Sequence, residues 1–242
     1  MSTVAEHYER HLAPVYLWMA GGAEATLQAG GAEIEALNLP VARGDFVLDL
    51  GAGFGMHSIP LARRGARVTA IDSSTELLRT LTELGGDLPV RAINGDLLDF
   101  QSHISEAPSA ILCMGDTITH LPDFGAVEKL VARASAELLA GGSLVISFRD
   151  YSVPLTAEQR FIPVRSDQTR ILTCFLEYER EVVLVHDILH ERASGGWQTR
   201  VSWYRKLRLP PQRLIDCLES NSLEVRREPG VRGMVRLVAR RV

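Results

Sequence analysis

Residues 47–65 read VLDLGAGFGMHSIPLARRG, and the order of residue types in this stretch decides the fold. The run that opens it, DFVLDL (45–50), is apolar and closed by a glycine cluster, the pattern of a strand buried on both faces. Gly51, Gly53 and Gly55 then allow a sharp turn whose backbone can approach a ligand closely and aim free N–H groups at it. MHSIPLARRG has helical spacing, with Gly65 just past its end.

The alternation continues outward. ARVTAID (66–72) reads as a second strand and STELLRTLTELGG as a second helix, opened by Ser73 or Ser74 and closed by Gly85-Gly86. PVRAI (89–93), SAILCMG (109–115) and SLVISF (143–148) supply strands three to five, and FGAVEKLVARASAELLAGG the helix before the fifth. Strands of near-continuous Val, Ile and Leu separated by amphipathic helices mean a parallel sheet covered on both faces, an α/β, doubly wound, Rossmann-like architecture. After Phe148 the pattern changes. Three β-rich runs within 168–209, broken by short polar segments and Gly195-Gly196, predict an antiparallel meander. PPQRLIDCLESNS (210–222) starts a helix with proline in its first turn, and LEVRRE and MVRLVA close the chain as an edge hairpin, for seven strands in a mostly parallel sheet.

The first forty residues read as helical, broken at Pro14 and at Gly21-Gly22. We read residues 1–242 as one domain: a helical N-terminal cover (1–40), a cofactor-binding core (41–150), an antiparallel β insertion on the acceptor side (151–209), and the last helix with its hairpin (210–242).

Composition narrows the function. With 46% hydrophobic and 23% charged residues in 242, the chain is neither disordered nor low-complexity and can bury a full core. No run approaches the roughly 18 apolar residues of a membrane helix, and MSTVAEHYERHLAP lacks a secretory apolar region. Cys113, Cys174 and Cys217 are odd in number and far apart, which argues against a disulfide framework or a metal knuckle, so a reducing cytoplasm is the expected compartment. The net charge of −4 divides into −8 over residues 1–120 and +4 over residues 121–242. The arginines of VRREPGVRGMVRLVARRV alternate with Val, Leu and Met, as on the wet face of edge strands, so neither nucleic acid nor a membrane is expected as a partner. The expected partner is a small molecule, with a homo-oligomer left open.

Two ligand classes use a glycine turn of this kind. A dinucleotide site wants G-x-G-x-x-G, but position 56 is Met. Asp49, just before the turn, sets an anion where a pyrophosphate would lie; a ligand with a cationic amino-acid part suits it better. Asp72 ends strand two, where a carboxylate reaches ribose hydroxyls, with Ser73 beside it. Asp96 follows strand three, and Met114-Gly115-Asp116 ends strand four. Each acid alone could be a helix cap, but in successive turns at the carboxyl ends of strands they make a site.

These residues resemble the class I S-adenosylmethionine-dependent methyltransferases. VLDLGAGFG is similar to the family's first motif, AID with Asp72 to the second, NGDLLDF with Asp96 to the third and ILCMGDTITHLPD to the fourth. The resemblance covers residues 40–150 strongly and implies S-adenosylmethionine as cofactor. It implies that Gly51, Ala52 and Gly53 face the methionine part, Asp72 the ribose, and Asp96 with Leu97 the adenine, while Met114 packs on the adenine face with Gly115 nearby. HYERHLAPVYLWMAGG and the insertion after strand five resemble, more weakly, the glycine/sarcosine type of small-molecule N-methyltransferase.

The expected reaction is methyl transfer to a nitrogen or oxygen of a small acceptor. A cofactor-binding protein without catalysis and a nicotinamide-dependent oxidoreductase are the alternatives. Because the leaving group is neutral, the protein must chiefly align the reactants and exclude water; a base is needed only where the acceptor must lose a proton. His120, in the loop after strand four, is the candidate base, or else a loop histidine bonded to its own backbone. Arg149 and Tyr151 beyond strand five, His186 and Tyr204 in the insertion, and Tyr16 and Trp18 near the N-terminus are candidate acceptor contacts; the aromatics among them could instead be packing. HDILH (186–190) echoes a zinc helix motif, but its β-branched setting makes it a strand. On a strand its two histidines stand roughly 13 Å apart at Cα, too far to share an ion, so no metal is expected.

Overall fold

The computed structural model describes residues 4–242. It begins with α1 (Val4–His7), a π-helical turn (Tyr8–Leu12) and α2 (Ala13–Ala20), followed by α3 (Ala23–Leu37). Pro14 does not break this first segment. It sits in the first turn of α2, where its missing N–H is not needed, and the widened π turn lies directly before it. Gly21 ends α2 in the left-handed conformation, as a helix stop should.

The core then runs β1 (Phe46–Leu50), α4 (Ser58–Arg63), β2 (Arg67–Asp72), α5 (Thr75–Gly85), β3 (Val90–Asn94), β4 (Ala110–Cys113), α6 (Phe124–Glu137) and β5 (Ser143–Phe148). Four further strands follow: β6 (Phe161–Ser166), β7 (Arg170–Tyr178), β8 (Val182–Ala193) and β9 (Gly196–Leu207). The chain closes with α7 (Pro211–Ser220), β10 (Leu223–Pro229) and β11 (Val235–Arg241).

The main sheet has seven strands in the order β10-β11-β5-β4-β1-β2-β3. β1 to β5 pair in parallel, whereas β11 runs antiparallel to β5 and to β10. Burial follows the pleat. Leu48 and Leu50 point into a core with Val127, Leu130 and Val131 of α6 and Leu214 and Leu218 of α7. Val47 points the other way, against Ile34 and Leu37 of α3 and Leu61 of α4. Both faces are therefore covered, and truncating a fully buried leucine such as Leu48 to alanine should cost about 2–5 kcal/mol. The order reverses at β1, which has β2 on one side and β4 on the other, so the crevice for a ligand opens at their carboxyl ends.

The insertion forms a separate antiparallel sheet in the order β6-β7-β8-β9. Its first strand is not foreseen from sequence, because all six residues of β6 are exposed and Pro163 interrupts the run. One face of this sheet is apolar and meets the N-terminal helices: Leu176, Val183, Val185 and Tyr204 cluster with Tyr151 and Tyr8, and Leu172 and Leu189 with Val15 and Trp18. The sheet and the N-terminal helices thus pack on one another through a shared apolar layer.

Candidate functional site

The glycine turn after β1 adopts left-handed backbone at Gly51 (φ +74°), Gly53 (φ +54°) and Gly55 (φ +89°), conformations that side chains disfavour. Helix α3 lies so close behind it that a Cβ on Gly30 would fall 2.0 Å from the Met56 carbonyl oxygen. The turn borders a cavity of about 570 Å³ at the carboxyl ends of β1, β2 and β4. Its floor is open: a Cβ on Gly53 would have no neighbour nearer than 3.9 Å, and one on Gly115 none within 4 Å.

At one side stands Asp72. Its carboxylate accepts the backbone N–H of Gly53 and that of Ser74, each at 2.8 Å, and lines the cavity. Burial raises this carboxyl above its ordinary value, opposed by the backbone N–H groups of Ser74, Gly53 and Ser73. Asp96 is exposed and accepts the N–H of Leu98 at 2.8 Å. Ser74, rather than Ser73, caps α5: its hydroxyl accepts from Leu77 N–H and donates to Glu9, tying the N-terminal segment to the second turn.

At the other side the lining becomes aromatic. Phe54, Tyr16, Tyr8 and His120 make a continuous wall, with centroids 5.8, 6.1 and 5.4 Å apart from one ring to the next. Tyr8 Oη lies 3.3 Å from His120 Nε2, while His120 Nδ1 is shielded and has no hydrogen-bond partner. Burial, reinforced by the nearby Lys206 charge, pushes the His120 imidazole down to about 3, so it is neutral at physiological pH. Burial likewise raises the Tyr8 and Tyr16 phenols, which stay protonated.

Behind His120 lies a charged cluster. Tyr204 stacks on its ring at 5.4 Å. Lys206 donates to Asp116, whose carboxylate also accepts from Tyr151 Oη (3.1 Å) and from the Arg149 backbone N–H (2.9 Å). Burial alone would raise the Asp116 carboxyl, but Lys206 outweighs it and the net shift is downward. The Lys206 ammonium is held up in turn by Asp116 against the pull of burial.

Of the residues singled out from sequence, Gly51, Ala52, Gly53, Asp72, Ser73, Asp96, Leu97, Met114, Gly115, His120 and Tyr16 all line the one cavity. Others do not. Asp49 is buried beneath the turn, accepting from Ser58 Oγ at 2.6 Å. Trp18 donates to Asp167 at an exposed position, and Arg165 and Arg170 lie over its ring. Arg149 donates to the Arg232 carbonyl. Tyr151 and Tyr204 stand behind the wall. His186 pairs with Trp203 across β8 and β9, on the face opposite the Val185–Tyr204 pair, and contacts Glu177.

Several lining residues escape sequence reading. Glu33, Ser147 and Arg232 reach the cavity from elements remote from the glycine turn, while Phe54 lies within that turn and Thr117 just past Asp116. Glu33, on α3, meets His57 Nε2 at 3.1 Å, with the Arg236 guanidinium 3.7 Å away. Arg232 carries its own signal, a left-handed non-glycine residue (φ +52°) beside Gly233 in the hairpin loop. Buried Asp187 binds His7 at 2.9 Å and Cys174 at 2.8 Å, and His7 also meets Ser202 at 2.8 Å, which pins the N-terminal helix to the inner face of the second sheet.

A doubly wound sheet with a glycine turn at its reversal, and with Asp72 and Asp96 at the ends of the next two strands lining one cavity, has the arrangement in which α/β proteins bind nucleosides. Residues 47–142 match the family model of the methyltransferase domain. A glycine/sarcosine N-methyltransferase of Aphanothece halophytica is 32% identical over 111 residues, an alignment covering 45% of this chain and 42% of that protein. The chain spans less than half the length of the curated relatives it matches. Two solved structures share the fold across nearly the whole chain. The CcbJ methyltransferase of Streptomyces caelestis has a TM-score of 0.77 at 21% identity, covering 100% of this chain and 99% of its own. An amino pentose methyltransferase of Micromonospora echinaspora, solved with S-adenosylmethionine bound, has a TM-score of 0.71 at 18% identity, covering 95% and 96%. Residues 47–142 therefore carry a methyltransferase domain, similar to those of the class I S-adenosylmethionine-dependent enzymes. No described helix is long and apolar enough to cross a membrane.

Proposed function

We propose that this protein transfers a methyl group from S-adenosylmethionine to a nitrogen or oxygen of a small-molecule acceptor. The observation that carries the reading is one cavity joining the Asp72 and Gly53 end to the aromatic wall at His120, so that a nucleoside and an acceptor would meet inside it. The residues present fit the cofactor: the floor at Gly53 and Gly115 has room for it, and the Asp72 carboxylate lines the same cavity beside them. Asp72 holds the ribose hydroxyls, Asp96, Leu97 and Met114 frame the adenine, and the Gly51–Gly53 backbone faces the methionine part. When bound, the cofactor supplies an electrophilic methyl group on a positively charged sulfur. The N-terminal helices, fixed by Glu9 to Ser74 and by His7 to Asp187, exclude water from the reacting end.

His120 orients the acceptor by the part of its ring that lines the cavity, held in place by Tyr8 Oη at 3.3 Å from Nε2. A group pushed down to about 3 is a poor base at neutral pH. The insertion acts from behind: none of its strand residues is among those lining the cavity, and Tyr204 supports the His120 ring. The test is a methyl-transfer screen over small amines, phenols and carboxylates that follows S-adenosylhomocysteine release. Turnover with some acceptor supports the reading; cofactor binding with no release under any condition marks a non-catalytic binder.

A further inference from the structure

The aromatic wall has a feature that packing alone does not require. Tyr8 meets His120 edge to face, with the ring planes 86° apart, so the two rings form a corner open to the cavity. Tyr16 and Phe54 extend one side of that corner toward the glycine turn. Each of these rings is uncharged, and aromatic faces carry negative potential that attracts a desolvated cation. The wider lining points the same way. With Glu33 facing His57 and the Arg236 guanidinium, the carboxylates of Asp72 and Asp96 stand against one lining guanidinium, Arg232, a balance that favours positively charged ligands. A site for an anionic oxygen would need a free cation beside the corner. The ammonium behind it, Lys206, is already closed on Asp116 and is not among the lining residues.

We propose that Tyr8, Tyr16, Phe54 and His120 form an aromatic corner for a methylated ammonium group, and that the acceptor of this protein is an amine. The proposal deepens the methyltransferase reading and rests on it. In the step, the lone pair of a neutral amine forms a bond to the methyl carbon. The bond from that carbon to sulfur breaks, its electron pair stays on sulfur, and the positive charge passes to nitrogen. One positive charge is present before and after, so the same rings stabilise both ends of the reaction. A primary or secondary amine then releases a proton to solvent; a tertiary amine keeps the charge.

The test uses choline, which carries a trimethylammonium group, and its neutral carbon isostere 3,3-dimethylbutan-1-ol. Each is titrated into the protein saturated with S-adenosylhomocysteine. Choline should bind about tenfold or more tightly than the isostere, within the range of a desolvated cation on ring faces. Tyr8→Leu should abolish that preference, Tyr8→Phe should keep it, and S-adenosylhomocysteine affinity should change by less than about threefold in both variants. Equal binding of the two probes overturns the proposal. So does a Tyr8→Leu variant that loses affinity for S-adenosylmethionine alone, because the corner then holds the sulfonium. Failure of S-adenosylhomocysteine to bind the unmodified protein is a separate outcome and strikes the methyltransferase reading itself.

Discussion

Lys206 of β9 and Asp116 after β4 form an ion pair in which the two residues are 7% and 2% exposed. It joins the inserted sheet to the cofactor core through a carboxylate that also fixes Tyr151 and the Arg149 backbone. Removing one partner strands a buried charge. Lys206→Met or Asp116→Asn alone should lower stability by about 3–5 kcal/mol, while the double variant recovers much of that loss. Urea unfolding of the three variants checks this; a double-variant loss equal to the sum of the two single losses would mean that the charges are not coupled.

The same pair sets a pH window. The Asp116 carboxyl is lowered, so its contribution is full above the ordinary aspartate value of about 4 and is lost as pH falls below it. The Lys206 ammonium is raised, so its contribution is full below about 10.4 and lost only as pH rises beyond. His120 adds a separate effect. With its imidazole pushed down to about 3, the unfolded chain binds the proton first, and stability drops as pH falls from about 6.5 toward that value. Stability measured against pH should therefore decline below 6.5 in the parent protein, and less steeply in His120→Phe.

Asp72→Ala should weaken S-adenosylhomocysteine binding by about 1.5–3 kcal/mol, the range for hydrogen bonds to a charged group. Because its carboxylate also accepts from Gly53 and Ser74, the ligand-free protein should melt lower as well. Calorimetric titration and a melting curve separate the two effects.

His186→Ala should leave turnover and both Michaelis constants unchanged, since that ring faces away from the cavity. Tyr204→Leu removes the ring stacked on His120 and should raise the acceptor KM with cofactor affinity kept. Steady-state kinetics distinguish them, and equal behaviour of the two variants would remove Tyr204 from the acceptor site.

What was legible from sequence follows from burial. β1, β4 and β5 are buried along their whole length, so each reads as an unbroken apolar run, and the glycine turn with Asp72 and Asp96 falls at predictable strand ends. β6 is exposed throughout and leaves no such trace. The aromatic corner was only half visible. Tyr8 and His120 are 112 positions apart and meet because the π turn and the first helices fold over the strand ends, a path that local periodicity does not encode. Asp187 looks like an ordinary polar residue of a strand, yet its partner, His7, lies 180 positions away.

Titration calorimetry of the unmodified protein with S-adenosylhomocysteine and, separately, with NADH is the most direct measurement. Asp49 beneath the turn and Met56 where a dinucleotide fingerprint has glycine lead us to expect roughly micromolar or tighter binding of S-adenosylhomocysteine, about −8 kcal/mol or better, and no measurable binding of NADH. Binding of NADH with none of S-adenosylhomocysteine would contradict the assignment of this cavity to a methyl donor.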